Sequence, residues 1–262
     1  VGTNAFDAVY DQINEVRRIL TSLGLNEAQG QTLISHEAAM LRPDPPSLLA
    51  NPLSSDMDTL RPGIIPGLLN ALRLNANRSN LNVALFEIGK RFVCFDTIKE
   101  DRGLGIAMTG RRSSTFWTGA EREAALDIFD LKGTLEELFE LFGVRGVLFR
   151  EAPPHNLPFL LLGEIVQGKD KIGSFGQLHP MHARRYDLRE PVLLAELNLD
   201  IILARRNATK SFKPLPQFPA SRRDVAMLVP EATTHDAVLQ AVKQAKPANL
   251  ESVELFDVFR GK

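Results

Sequence analysis

Apolar residues at the start of the chain follow the period of an α-helix. They recur at steps of three and four, which is the spacing of one helix face: Phe6, Val9, Ile13, Val16 and Leu20. Asn4 can cap the first turn and Gly24 can end the helix, so we predict a helix from about Asn4 to Leu23. The stripe either packs on its own domain or pairs with a helix of another subunit, because its spacing also resembles a coiled-coil seam.

A long irregular segment follows this helix. We expect an edge strand at Ala28–Ser35 and then a loop, because prolines and small polar residues prevent regular structure there. Arg61 in the loop is either an anion ligand or a structural arginine that ties the loop to backbone carbonyls or a carboxylate. Pro66 suits the first turn of a second helix, and the apolar residues expected to face inward are Leu68, Leu69, Leu72 and Leu74.

The middle of the chain has the residue patterns of successive β-strands. A strand buried on both faces is predicted from Val83 to Phe95, and Glu87 within it requires a partner, with Lys90, Arg91 and Arg61 as candidates. An antiparallel strand follows over GLGIAMTGR. Further strands are predicted at Val147–Ala152, Leu157–Val166, Lys171–Phe175 and Val192–Leu199.

A second strong helix is predicted between residues 127 and 143. Its apolar residues gather on one side: Phe129, Leu131, Leu135, Leu138, Phe139 and Phe142. Asp127 and Asp130 at its beginning suit the helix dipole, so capping is favoured over metal binding. Gly143 is expected to end the helix.

The periodicity disappears at residues 206–217, where prolines and cations predict a linker. Beyond it, SRRDVAMLV reads as a strand, His235–Ala245 as a helix with Val238, Leu239 and Val242 inward, and SVELFDVF as another strand. This order is a βαβ half-unit. Neighbouring side chains of a strand point to opposite faces, so Arg222 and Arg223 are not expected to bind the same group together.

Composition narrows the function only slightly. The 262 residues carry a formal net charge of -1, so RNA contact requires a local basic patch, and cations are concentrated between Arg205 and Arg223. The chain has neither a long apolar run nor a signal-peptide pattern, which favours a cytoplasmic protein without a membrane span. It begins at Val1 and stops within a strand-like pattern, so we expect a piece of a longer polypeptide.

The sequence contains no recognisable set of catalytic or metal-ligating residues. His179 and His182 lack further zinc ligands, so loop or capping roles are favoured. The segment around Gly173 and Gly176 does not have the Gly-Lys-Ser/Thr sequence that ends a phosphate-loop motif. A free-standing enzyme would need a convergent acid, base or nucleophile, whereas the carboxylates and histidines here are scattered.

Four phrases, in the same order as in the family, carry a resemblance: NPLSSDMDTLRPG from Asn51, FDLKGTLEEL from Phe129, IGSFGQLHP from Ile172 and FPASRRDVAMLV from Phe218. The chain resembles the carboxy-terminal part of the β subunit of bacterial phenylalanyl-tRNA synthetase. The resemblance implies an α+β fold. Residues 1–205 would form a class II synthetase-like antiparallel sheet flanked by helices, and residues 218–262 a truncated ferredoxin-like anticodon-binding unit.

The resemblance also implies a role without catalysis. The family assembles as an α2β2 tetramer with a catalytic α subunit that attaches phenylalanine to tRNA-Phe with ATP and Mg2+, so we expect no cofactor in this chain. The strand FEIGKRF supplies no arginine where an active synthetase grips the α-phosphate. Phe6, Val9, Ile13, Val16 and Leu20 become candidates for the subunit interface, and Lys210, Lys213, Arg222 and Arg223 for RNA contact.

RNA binding by the truncated unit alone is expected to be weak and nonspecific, because half of its sheet is missing. The alternative function is a stand-alone RNA-binding adaptor. Such a protein would need a basic face with stacking aromatic residues.

Overall fold

A computed structural model describes residues 5–113, 117–118, 123–152, 158–207 and 219–259, with side chains from Ala8 onward. The chain divides into two compact units, Val1–Lys210 and Ser211–Lys262. The described helices of the first unit are α1 (Ala5–Ser22), α2 (His36–Ala39), α3 (Ile65–Ala76), α4 (Ile128–Phe142), α5 (Pro180–Arg185) and α6 (Leu199–Ala204). A 3-10 turn covers Ser55–Met57.

The described strands form a large sheet and a small one. Their bounds are β1 (Asn26–Glu27), β2 (Leu33–Ile34), β3 (Ser47–Leu48), β4 (Thr59–Leu60), β5 (Val83–Cys94), β6 (Ile98–Thr109), β7 (Val147–Glu151), β8 (Phe159–Gln167), β9 (Asp170–Leu178) and β10 (Val192–Asn198). The seven-stranded sheet has the order β1-β5-β6-β10-β9-β8-β7, and the three-stranded sheet the order β2-β4-β3. Every pairing is antiparallel except that of β1 with β5. The predicted, mostly antiparallel sheet is confirmed.

The edge strand predicted at Ala28–Ser35 is much shorter in the structure. Within these residues the chain forms only β2, an edge strand of the small sheet, whereas β1 of the large sheet ends at Glu27. The chain turns away from β5 after Ala28, whose N–H donates to the carbonyl of Phe86 at 2.7 Å. At Gly30 it passes so close to Glu87 that a Cβ would lie 2.9 Å from Oε2, so glycine is the residue that fits there without displacing the carboxylate.

The large sheet buries both of its faces. One face packs on α1, α4 and α6 through a cluster that includes Leu20, Leu135, Phe86 and Ile202. The other face packs on α3 and α5 through a cluster that includes Leu68. Alternation along the strands separates the two faces, since Phe86 lies in the first cluster and its neighbour Leu85 in the second.

The ends of α1 and α4 have the predicted chemistry. Gly24 and Gly143 both adopt a φ of 87°, in the left-handed region that glycine occupies without strain. Asp127 and Asp130 form a reciprocal capping box: Asp127 Oδ1 accepts from the Asp130 N–H at 3.1 Å, and Asp130 Oδ2 accepts from the Asp127 N–H at 2.8 Å. The capping interpretation of these aspartates is confirmed.

Two residues expected to face inward do not. Leu74 is 55% exposed and Phe129 is 73% exposed. Each lies two positions from a buried leucine of its helix, Leu72 and Leu131. Two positions correspond to roughly 200° of rotation, which turns the side chain to the opposite face.

The second unit contains one helix in its described residues, α7 (His235–Gln244). Val238, Leu239 and Val242 are half-buried, as predicted. The two predicted strands that flank α7 are not formed within residues 219–259. A strand requires a hydrogen-bonded partner, and neither segment has one there, so Leu228 and Phe259 remain almost fully exposed.

Candidate functional site

The face of the large sheet that carries α3 has charged side chains at its centre. Glu87, Gly105 and Glu196 are direct neighbours on β5, β6 and β10, and cross-strand neighbours point to the same face. Helix α3 sits on the glycine, because a Cβ on Gly105 would lie 2.6 Å from Ile64 Cγ2. The two carboxylates therefore lie on either side of the contact between helix and sheet.

Arg61 neutralises the first carboxylate. Its Nη1 donates to Glu87 Oε1 at 2.5 Å and its Nε donates to the carbonyl of Lys90 at 2.9 Å. Both side chains are buried. The guanidinium lies over Gly89, where a side chain would overlap it. Arg61 thus ties the long loop to β5 through a carboxylate and a carbonyl, which confirms the structural interpretation.

Arg91 bridges two carboxylates beside this pair. Its Nε and Nη2 each donate at 2.7 Å to one oxygen of Asp101, its neighbour across β6, and its Nη1 donates to Glu196 Oε1 at 3.1 Å. The same glutamate oxygen accepts from the backbone N–H of Ile64 at 3.2 Å, which is the start of α3. Burial opposes the charge of Arg91, but the hydrogen bonds and charges of Asp101 and Glu196 outweigh it and raise its pKa.

Arg42 completes the network from the loop that follows α2. Its Nη1 lies 3.0 Å from Glu196 Oε2, and its Nη2 donates to Asp44 Oδ2 at 2.6 Å. The charge of Glu196 is the main reason that the pKa of Arg42 is raised above its ordinary value. Three carboxylates thus surround two guanidinium groups, which leaves the cluster with no excess of positive charge.

A cavity of about 280 Å³ lies beside the network. Its polar lining includes Arg42, Arg91, Glu196 and Lys171, and its apolar lining includes Leu194. The ammonium group of Lys171 is itself 2.6 Å from Glu164. Every cationic side chain in the lining therefore has a carboxylate partner.

Carboxylates engage both arginines of the cavity lining. A triphosphate requires cations whose hydrogen-bond donors are available to phosphate oxygens. Both arginines already direct donors to carboxylates, and Glu196 would repel a phosphate. A phosphate in the cavity would compete with these carboxylates for the two guanidinium groups.

The sequence comparisons assign the two units to known families. Residues 2–199 match the family described as the phenylalanyl tRNA synthetase beta chain CLM domain, and residues 216–262 match the ferredoxin-fold anticodon binding domain. The chain belongs to the phenylalanyl-tRNA synthetase β chain family. The resemblance inferred from the four sequence phrases is confirmed.

Several relatives of this β chain are known from bacteria. The chain is 35% identical to the phenylalanine–tRNA ligase β subunit of Geobacillus kaustophilus, with 94% of this chain and 31% of the relative covered. It is 31% identical to that of Carboxydothermus hydrogenoformans, with 100% of this chain and 34% of the relative covered. The chain therefore spans about a third of the length of these relatives.

The fold of the β chain recurs in a solved synthetase. Pyrrolysyl-tRNA synthetase from Desulfitobacterium hafniense superposes with a TM-score of 0.58 at 16% identity, over 74% of this chain and 67% of that chain. At this identity the likeness concerns the fold alone. Together with the match of residues 216–262 to the anticodon-binding family, it confirms the predicted fold class.

The interface candidates of the β chain divide into two groups. Val16 and Leu20 are fully buried in the core of their own unit, so they cannot contact another subunit in this conformation. Val9 and Ile13 are half-buried against the same core. Their contact with another subunit stays a prediction, and the side chain of Phe6 lies outside the described residues.

The RNA-contact candidates of the β chain are not brought together. Lys210 and Lys213 lie outside the described residues. Arg222 and Arg223 are both exposed and not on a strand, so the expectation that they point to opposite faces of a strand is wrong. Strand geometry does not apply to a segment without a pairing partner. Whether any of these residues binds RNA stays a prediction.

Of the two neighbouring histidines, His179 is a capping residue and His182 lies within α5. His179 caps α5, where its Nδ1 accepts from the N–H of Met181 at 3.2 Å. In the described part of the chain no group of three His, Cys, Asp or Glu side chains is placed to hold a metal ion. A search of the same residues finds no helix with the length and apolar character needed to cross a membrane.

Arg91 was predicted as a possible partner of Glu87, which pairs instead with Arg61, and neither Arg42 nor Glu196 was singled out from the sequence. One signal was present, since Glu196 is the only charged residue in the apolar segment VLLAELNL. A buried charge in such a strand requires a cationic partner. Its partners lie 105 and 154 positions away along the chain (196 − 91 and 196 − 42), so sequence spacing could not identify them.

Proposed function

We propose that this chain is a non-catalytic part of the β subunit of phenylalanine–tRNA ligase. Residues 1–205 form the synthetase-like module, 206–217 a linker and 218–262 part of the anticodon-binding domain. The module supports assembly with a catalytic α subunit into an α2β2 tetramer in the cytoplasm. The α subunit holds ATP and Mg2+ and attaches phenylalanine to tRNA-Phe.

One observation supports the absence of chemistry in this module. Arg91 is the arginine of β5 beside the cavity, and its guanidinium binds both Asp101 and Glu196. A phosphate would have to displace two carboxylates, one of them 4% exposed. Such buried ion pairs are costly to break, because the partner left behind stays buried and charged. The network therefore serves to join strands β5, β6 and β10 to α3.

The test uses the complete β subunit that carries this chain, coexpressed with its α subunit. Phenylalanine-dependent pyrophosphate exchange and tRNA charging are measured for each subunit alone and for the complex. We expect activity only in the complex. Exchange by the β subunit alone would contradict the proposal.

An arginine substitution separates structure from catalysis. Arg91→Met in the complex should lower the melting temperature of the β subunit but leave the exchange rate per assembled tetramer within about twofold of wild type. Arg150→Met, at an exposed arginine of β7, is the matched control. Loss of exchange by orders of magnitude in a tetramer of unchanged stability would instead assign Arg91 to the chemistry.

A further inference from the structure

A concentration of exposed apolar side chains lies around the small sheet and the adjacent hairpin of the first unit. Its members are between 43% and 100% exposed: Met40, Leu48, Leu53, Met57, Phe95 and Ile98. We refer to these six residues as the small-sheet patch. Single exposed leucines are common on soluble proteins, whereas apolar clusters mark interaction surfaces.

Backbone contacts join the elements that carry the patch, and Leu53 lies in the loop between β3 and the 3-10 turn. Leu48 pairs with Thr59 in the small sheet, and the N–H of Leu49 donates to the carbonyl of Asp58 at 2.8 Å. The 3-10 turn that carries Met57 contacts α2, and Met40 directly follows that helix. The N–H of Cys94 donates to the carbonyl of Pro45 at 3.2 Å. This last bond places the tip of the β5–β6 hairpin, with Phe95 and Ile98, beside β3.

The buried ion network holds this surface in position. The N–H of Arg61 donates to the carbonyl of Thr32 at 3.0 Å, and the carbonyl of Arg61 accepts from the N–H of Phe92 at 2.9 Å. The guanidinium of Arg61 is fixed by Glu87. The small sheet is thereby attached to the large one, so its apolar side chains are displayed from a fixed scaffold.

The charged residues around the patch are mainly acidic. Asp56, Asp58 and Asp96 have no ion-pair partner within the described residues, and Lys99 is the cation near them without one. The charges of Arg42 and Lys90 are matched by Asp44 and Glu100. Two copies of this face would oppose like charges, which disfavours self-association. A complementary surface has an apolar centre and a basic rim.

We propose that the small-sheet patch is the docking surface for a different protein subunit that presents apolar residues within a basic rim. The inference rests on the proposed function, in which this partner is the α subunit. Val16 and Leu20 of α1 were predicted to lie at the subunit interface, but both are fully buried. The exposed small-sheet patch is therefore the apolar surface that we assign to assembly.

The first experiment changes the apolar centre. The complete β subunit carrying Leu53→Asp and Phe95→Asp is titrated against the α subunit. We expect the dissociation constant to rise by about tenfold or more, because truncated or charged anchors at the centre of an interface have effects of this size. The matched control is Leu74→Asp with Met181→Asp, two exposed apolar residues elsewhere in the unit, and it should bind within about threefold of wild type.

The second experiment changes the rim. Asp56→Lys with Asp96→Lys should slow association and reduce or reverse its dependence on salt, because rim charges act mainly on the association rate. Glu137→Lys with Glu140→Lys on the exposed side of α4 makes the same change of charge elsewhere. This control should leave the association rate within about threefold of wild type.

The possible outcomes distinguish an error in the docking surface from an error in the proposed function. If the patch variants bind α as tightly as wild type, the docking surface is wrong although the proposed function stands. If wild-type β does not bind α, both fail. If wild-type β instead self-associates and the Leu53→Asp and Phe95→Asp variant does not, the patch joins two copies and the inference is overturned. Melting temperatures of the free β variants show whether each remains folded, and only folded variants enter the comparison.

Discussion

Glu87 and Glu196 flank Gly105 in one register row of the seven-stranded sheet. They are 2% and 4% exposed, and each is paired with a buried arginine, Arg61 or Arg91. The glycine between them is covered by Ile64 and Leu68 of α3. The buried charges at the centre of this sheet face therefore connect α3 and the loop that carries Arg61 to the strands.

The Arg61–Glu87 pair should show strong coupling. Arg61→Met alone should lower the free energy of unfolding by about 3–5 kcal/mol, because Glu87 is left charged and buried. The double substitution Arg61→Met with Glu87→Leu should recover most of this loss, since neither charge then remains. Urea unfolding of the single and double variants measures the coupling.

A surface pair provides the control for this cycle. Lys90 and Glu100 are 2.6 Å apart, but their side chains are 61% and 47% exposed. Replacing both with glutamine should change stability by less than about 1 kcal/mol. Coupling of similar size in the two cycles would contradict the special role assigned to burial.

Gly105 should not tolerate a methyl group. A Cβ there would meet Ile64 Cγ2 at 2.6 Å and Leu68 Cδ1 at 2.9 Å, so Gly105→Ala should cost about 1–3 kcal/mol by forcing α3 away from the sheet. Adding Ile64→Ala should reduce the penalty of Gly105→Ala in a double-mutant cycle. Gly133→Ala is the opposite case, because a Cβ on this exposed residue of α4 would meet nothing within 4 Å. It should stabilise the protein by up to about 1 kcal/mol.

The buried half of the α1 stripe should behave as core. Leu20→Ala should destabilise the first unit by about 2–5 kcal/mol, because its side chain is fully buried. Tyr10→Ala on the same helix removes a larger side chain that is 60% exposed, and should change stability by less than about 1 kcal/mol. Thermal unfolding of both variants checks this. A small effect of Leu20→Ala with a loss of subunit association would restore the interface interpretation.

His182 should titrate below its ordinary pKa of 6.5. Burial, then the charges of Arg185 and His179, lower its pKa. Arg185→Gln should raise it towards 6.5, as measured by NMR titration of the imidazole, whereas Arg150→Gln should not change it. Because the unfolded chain binds this proton more tightly, the contribution of neutral His182 to stability is complete above pH 6.5 and is lost as the pH falls through the folded-state pKa.

Local patterns predicted the elements whose causes lie within a few residues. The 3.6-residue period of α1 and α4, the capping by Asp127 and the termination at Gly143 each depend on neighbours along the chain, and the structure matches them. The period alone does not determine which way a side chain at the edge of such a stripe faces. Phe129 was placed inward by its position near the stripe, but the packing of α4 leaves it exposed.

Whether the other predicted strands form depends on their hydrogen-bonded partners. The segments on either side of α7 have the composition of strands, yet no partner pairs with them among residues 219–259. The segment Ala28–Ser35 was predicted as one strand, but only Leu33 and Ile34 within it form a strand, because they pair with β4 of the small sheet. A strand depends on what lies beside it, which a local pattern does not contain.

By itself the sequence determined the family, the α+β class and the four longest helices, because these depend on composition, period and motif order. It also named Arg61 among the possible partners of Glu87. Only the tertiary structure brought Arg42, Arg91 and Glu196 together beside one cavity. The physical reason is that a buried charge is neutralised by whichever side chain the fold brings within about 3 Å, irrespective of separation along the chain.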